Sequence, residues 1–103
     1  MSKMTCKRGD TLSTITDIAL LAGVPLGLSG ASIVIVFRDA SSILRLPAII
    51  VDLGASKMGY KLELAVTGEI NIWKFVWEIT LPDGVVTSPS KGYNLLIVED
   101  DLG

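Results

Sequence analysis

The chain has 103 residues, half of them hydrophobic, and its 9 basic and 11 acidic side chains sum to −2. That length gives one domain, residues 1–103, and an apolar half this rich excludes a disordered chain. Nine scattered basic residues in a net-acidic chain leave no electrostatic footprint for nucleic acid.

Residues 1–7 read as a flexible N-terminal arm. Residues 18–37 then carry no charge, a stretch long enough to span a bilayer. Gly23, Pro25, Gly27, Ser29, Gly30 and Ser32 crowd its middle, and such a cluster would leave backbone groups unpaired in hydrocarbon. No membrane span is therefore expected. Lys3, Lys7 and Arg8 ahead of an apolar run imitate a secretory leader, but Asp10, Asp17 and Pro25 interrupt the pattern. The run divides instead into a strand over 11–21, a Gly- and Pro-set connector over 22–30, and a continuous β-branched strand over 31–38. Ile33, Ile35 and Phe37 of that last strand are assigned to the core.

Residues 43–46 and 48–53 form two short apolar stretches, separated by Pro47, which cannot donate to a ladder and so marks an edge or a break. A turn over 54–56 leads to an alternating strand over 60–66, and a second turn covers 67–69. Residues 70–81 hold the most regular pattern in the chain. There Trp73, Phe75, Trp77, Ile79 and Leu81 alternate with a mainly smaller or more polar set, which is period two and predicts a strand with its aromatics in the core. Pro82-Asp83-Gly84 follows, and Asp-Gly before a β-branched stretch at 85–87 predicts a hairpin. A loop over 88–92, a strand over 93–98 and an acidic end over 99–103 complete the chain. About seven short strands with turn signals between them give an all-β antiparallel sandwich.

Catalytic chemistry is thinly supplied. The chain lacks histidine, which is the commonest general base and metal ligand. Cys6 stands alone, so no disulfide closes within the chain and no thiolate cluster holds a metal. No glycine-rich phosphate loop is present. No enzyme activity, cofactor or metal is expected. Arg8-Gly9-Asp10 spells a cell-adhesion tripeptide, but three residues recur by chance, and a glycine before a strand has an ordinary backbone role. Trp73, Trp77, Tyr60 and Tyr93 would serve a carbohydrate- or ligand-binding sandwich if they faced outward and stacked on sugar.

The order of short signatures resembles the small immunoglobulin-like domain of tailed-bacteriophage virion proteins, similar to the N-terminal domain of the siphophage baseplate upper protein. The matching pieces run in sequence. Arg8-Gly9-Asp10-Thr11 is followed by Gly23-Val24-Pro25, then by Leu28-Ser29-Gly30-Ala31-Ser32-Ile33 leading to Val36-Phe37-Arg38. Later come Gly68-Glu69-Ile70, Trp73 to Thr80, Pro82-Asp83-Gly84, Ser88-Pro89 and Gly92-Tyr93-Asn94-Leu95-Leu96-Ile97. Residues 41–65 match in outline only, being more apolar than the polar hairpin usual in the family. The resemblance implies an immunoglobulin-like fold and a virion structural protein, assembled in the host cytoplasm. Such a protein works in the tail or baseplate, or as a head-associated decoration or neck protein. It implies contacts with other virion proteins and a homo-oligomer within the particle. Ile43, Leu44, Leu46, Ile49 and Ile50 hold more apolar surface than one inward strand face can cover, and they are the expected interface.

Overall fold

The structure is a computed structural model that describes residues 3–89 and 91–100. Met1 and Ser2 of the expected arm, Ser90 of the expected loop and residues 101–103 of the acidic end lie outside the described residues. The fold is predominantly β, as the alternating patterns require.

Strand β8 (Asn71–Leu81) is the hub. One edge pairs antiparallel with β5 (Ser32–Arg38), which sets Ile33 opposite Ile79, Ile35 opposite Trp77 and Phe37 opposite Phe75. The other edge pairs with β10 (Asn94–Glu99) and, further along, with β9 (Gly84–Ser88). The expected β8–β9 hairpin forms, and Leu81 pairs with Gly84, so its two loop residues are Pro82 and Asp83.

Ile33, Ile35, Phe37, Trp73, Phe75, Trp77 and Ile79 are all buried. Phe37 sits at the middle of this core, with ring centroids 5.5 Å from Phe75, 5.6 Å from Tyr60 and 6.0 Å from Trp73. Tilted and edge-on contacts of this kind contribute roughly 0.5–1.5 kcal/mol each beyond burial. Trp73 Nε1 donates to the Val66 carbonyl at 3.0 Å, so its indole enters the core with its polar atom satisfied.

Strand β6 (Ile43–Asp52) links β5 to β7. Its residues 43–48 pair with β5, and from Ile49 it pairs with β7 (Lys57–Lys61), with an irregularity between Ile50 and Asp52. Strand β7 pairs in turn with β2 (Thr14–Ile18), giving the order β1-β10-β8-β5-β6-β7-β2, where β1 is Lys3–Lys7. Of the edge or break expected at Pro47, the structure shows the edge, since β6 runs on unbroken. Pro47 stands opposite Val34, and with no N–H to give it must turn its nitrogen away from β5. Among the described residues β6 has no second partner until Ile49, so this is an edge position, where proline is tolerated.

Three other expectations differ from the structure. Residues 3–7 are not an arm: β1 pairs in parallel with β10, with Cys6 buried and Met4 packed on the core. The alternation of Met4 and Cys6 with Lys3, Thr5 and Lys7 was too short to stand out. The strand expected over 11–21 begins only at Thr14, because Asp10 accepts the amides of Leu12 and Ser13 and bends the chain first. It breaks at Ala19, and β3 (Leu20–Leu21) then forms a separate hairpin with β4 (Val24–Pro25). The two loop residues, Ala22 and Gly23, have φ of 53° and 80°, the left-handed pair that a tight two-residue hairpin demands. The strand expected over 60–66 stops at Lys61, and α1 (Leu64–Thr67) makes one helical turn. Leu62 and Val66, four residues apart, both point into the core, a spacing that suits a turn of helix as well as it suits alternation.

Candidate docking face

The period-two pleat of β6 continues straight through Pro47 and divides the expected interface. Leu44, Leu46 and Ile50 face inward and pack against the core, whereas Ile43 and Ile49 are 56% and 63% exposed. Two of the five residues are therefore available to a neighbour, because alternate residues of one strand belong to opposite faces. Val51 adds to the outward side, with its Cγ2 lying over Gly59 of β7.

The aromatics offered for sugar stacking are mostly inside. Trp73, Trp77 and Tyr60 are buried, and Tyr60 donates its hydroxyl to Glu63 at 2.9 Å. Desolvation, followed by that carboxylate, raises the Tyr60 pKa well above the ordinary tyrosine value. Tyr93 alone of the four reaches the surface. The adhesion-like tripeptide is consumed by the fold. Arg8 pairs with Asp100 at 3.9 Å, the Gly9 amide donates to the Thr67 carbonyl, and the Asp10 carboxylate accepts from Leu12, Ser13 and the Ser13 hydroxyl. Those bonds hold the Asp10 pKa below the usual carboxylate value, the Ser13 hydroxyl contributing most. Burial pushes the Cys6 thiol up, with Asp10 and Glu99 adding to the effect, the opposite of nucleophile activation. Among the described residues no three His, Cys, Asp or Glu side chains gather as a metal site, and no helix is long and apolar enough to cross a membrane.

What remains is the outward face of the sheet β10-β8-β5-β6. Registers place Val36 beside Val76, and Arg45 beside Val36 on its other flank. Arg45 and Glu78 reach over β5 from either side and form a two-pronged ion pair, with Nη1 to Oε2 at 3.1 Å. Hydrogen bonding from Arg45 lowers the Glu78 pKa. Next to this pair lies a hollow lined by Val36, Val76, Tyr93, Arg38 and Lys74. Arg38 and Lys74 stand directly opposite each other, on one face of adjacent strands, both exposed. Like charges so placed repel and destabilise the sheet. Lys74 Nζ lies 4.7 Å from the centre of the Tyr93 ring. A second hollow on the far side of the two cations is lined by Asp39, Ala40 and the exposed Ile72. Asp39 is engaged there by the Asn71 amide at 2.8 Å and by the backbone amides of Ser41 and Ser42, which together hold its pKa low, Asn71 foremost.

This face was not visible in the sequence, because the juxtaposition of Arg38 with Lys74 exists only once β5 and β8 take their register. The hydrophobicity of 70–81 pointed to the buried side of β8, and nothing in the string marks its outer side. No family model matches the chain, and no curated protein aligns with it significantly.

Proposed function

We propose that this chain is a non-enzymatic structural protein of a tailed-bacteriophage virion, an immunoglobulin-like β-sandwich that acts as an assembly module through protein–protein contacts. It works in the tail or baseplate, or as a head-associated decoration or neck protein, and is assembled in the host cytoplasm. Other virion proteins are its partners, it repeats as a homo-oligomer within the particle, and it engages neither nucleic acid nor membrane.

The observation that carries this reading is the outer face of β10-β8-β5-β6. There a hollow lined by half-buried Val76 and Tyr93, and two exposed isoleucines, Ile43 and Ile72, are left uncovered by the described residues. Strand order supports the immunoglobulin-like type. In that arrangement the second strand lies beside the fifth, and the third beside the sixth, which in turn borders the seventh. Here β2 lies beside β7, β5 beside β8, and β8 beside β10, with β6 serving as the strand that changes layer. The ordered signatures from Arg8 to Ile97 supply the link to virion proteins. The burial of Trp73, Trp77 and Tyr60 removes the support for a sugar-stacking module.

Quantitative mass spectrometry of purified particles from the phage whose genome carries this chain tests the proposal. The chain is expected at a fixed copy number matching a rotational symmetry of the tail or head. Particles that lack it would refute the reading.

A further inference from the structure

We propose that the Arg38–Lys74 pair and the adjoining Val36–Val76–Tyr93 hollow form a docking site for an acidic, partly apolar segment of a partner protein, with a carboxylate seated between the two cations. The inference deepens the assembly-module reading and rests on it.

Three observations converge. First, the two cations face each other across adjacent strands, and no carboxylate of the described residues lies within ion-pair distance of either, although neighbouring cations are matched: Arg45 by Glu78 and Lys7 by Glu99. Asp39, the nearest acid along the chain, is committed to Asn71 and to two serine amides. A ligand carboxylate placed between the two would turn their repulsion into attraction, with the planar Arg38 guanidinium suited to grip both oxygens and Lys74 acting as a point charge. Second, Lys74 lies over the Tyr93 ring, which places its ammonium beside the hollow. Third, the hollow is apolar beside the cations: half-buried Val76 and Tyr93 line it next to Val36, which is itself nearly covered, so a side chain next to the carboxylate finds an apolar seat.

Charge complementarity selects the occupant. One cation pair on a net-acidic chain does not build the extended basic track that a nucleic acid follows. In a second copy Glu99 is bound to Lys7, Asp100 to Arg8 and Glu78 to Arg45, which leaves acids on its turns such as Glu69 and Asp83, and shifts that track protein concentration would reveal that contact. A different chain, with an acidic residue beside an apolar one, fits better.

The test titrates the full isotope-labelled chain with a short peptide alternating glutamate and leucine, with its glutamine counterpart, and with inorganic phosphate, each followed by NMR. Expected are shifts centred on Val36, Arg38, Lys74 and Tyr93 with the glutamate peptide, at least tenfold weaker binding of the glutamine peptide, and a similar loss in R38Q and K74Q. Both variants should unfold at the same temperature as the parent or higher, since each removes a like-charge contact. Equal binding of the two peptides, shifts on another face, phosphate matching the glutamate peptide, absence of binding at millimolar peptide, or shifts that track protein concentration alone would each overturn the proposal. None of those outcomes touches the presence of the chain in particles, so the two readings fail separately.

Discussion

The indole N–H of Trp77, a side chain with no exposed surface, donates to the carboxylate of Asp17 at 3.3 Å, tying the hub strand β8 to β2 at the far end of the strand order. An acid on the edge strand β2 thereby turns inward, and such a residue also discourages pairing with a foreign strand. Asp17→Ala leaves the indole without its acceptor and should cost about 1–2 kcal/mol in urea unfolding. Asp17→Asn, which keeps an acceptor oxygen, should cost clearly less. Equal losses for the two variants would show that the bond contributes little.

Fluorescence reads the core directly. Trp73 and Trp77 are both buried, so an aqueous quencher such as iodide should barely reduce native emission and should act fully only after unfolding. Strong quenching of the native chain would place an indole at the surface and restore the stacking alternative.

The pairing of β6 with β7 depends on a missing side chain. A Cβ added at Gly59 would fall 2.5 Å from Val51 Cγ2 and 3.5 Å from Thr14 Cγ2. Gly59→Ala should therefore destabilise by about 1–3 kcal/mol, the usual range for overpacking. Val51→Ala in the same chain should recover most of that loss, a coupling that thermal melts of the single and double variants would measure.

Acid and alkali should both lower the stability of the chain, for separate reasons. Asp10, Asp39 and Glu78 titrate below their ordinary values because hydrogen bonds favour their charged forms. Their contribution is present above the unfolded-state pKa, roughly 4, and fades as pH falls through the lowered folded values. Tyr60 is raised, so its contribution holds below the unfolded value of about 10 and is lost as pH climbs beyond it. Unfolding free energy should be level between about pH 5 and 9 and decline on either side. Asn in place of Asp39 should flatten the acid limb, and Phe in place of Tyr60 the alkaline one.

Where the chain alternates over a long stretch, its structure could be read from the string. Residues 70–81 and 31–38 became β8 and β5, and the seven core residues assigned from those patterns are buried. Short or ambiguous stretches could not be read. Lys3–Lys7 offers only two inward residues, and residues 62–66 satisfy strand and helix spacing alike. Pro47 left edge and break open because the choice depends on whether a second strand lies alongside, which is a tertiary fact. The apolar excess of residues 43–51 overstated the interface for a related reason: half of it faces inward, and the more distinctive surface lies where two strands bring Arg38 and Lys74 together.

On the proposed assembly role, another protein covers the outer face of β10-β8-β5-β6 in the particle. A reconstruction of the virion at side-chain resolution tests it most directly. The expected result is a neighbouring chain packed over Val36, Val76 and Tyr93, with an acidic side chain between Arg38 and Lys74. A particle in which every copy of this chain leaves that face open to solvent would contradict the account.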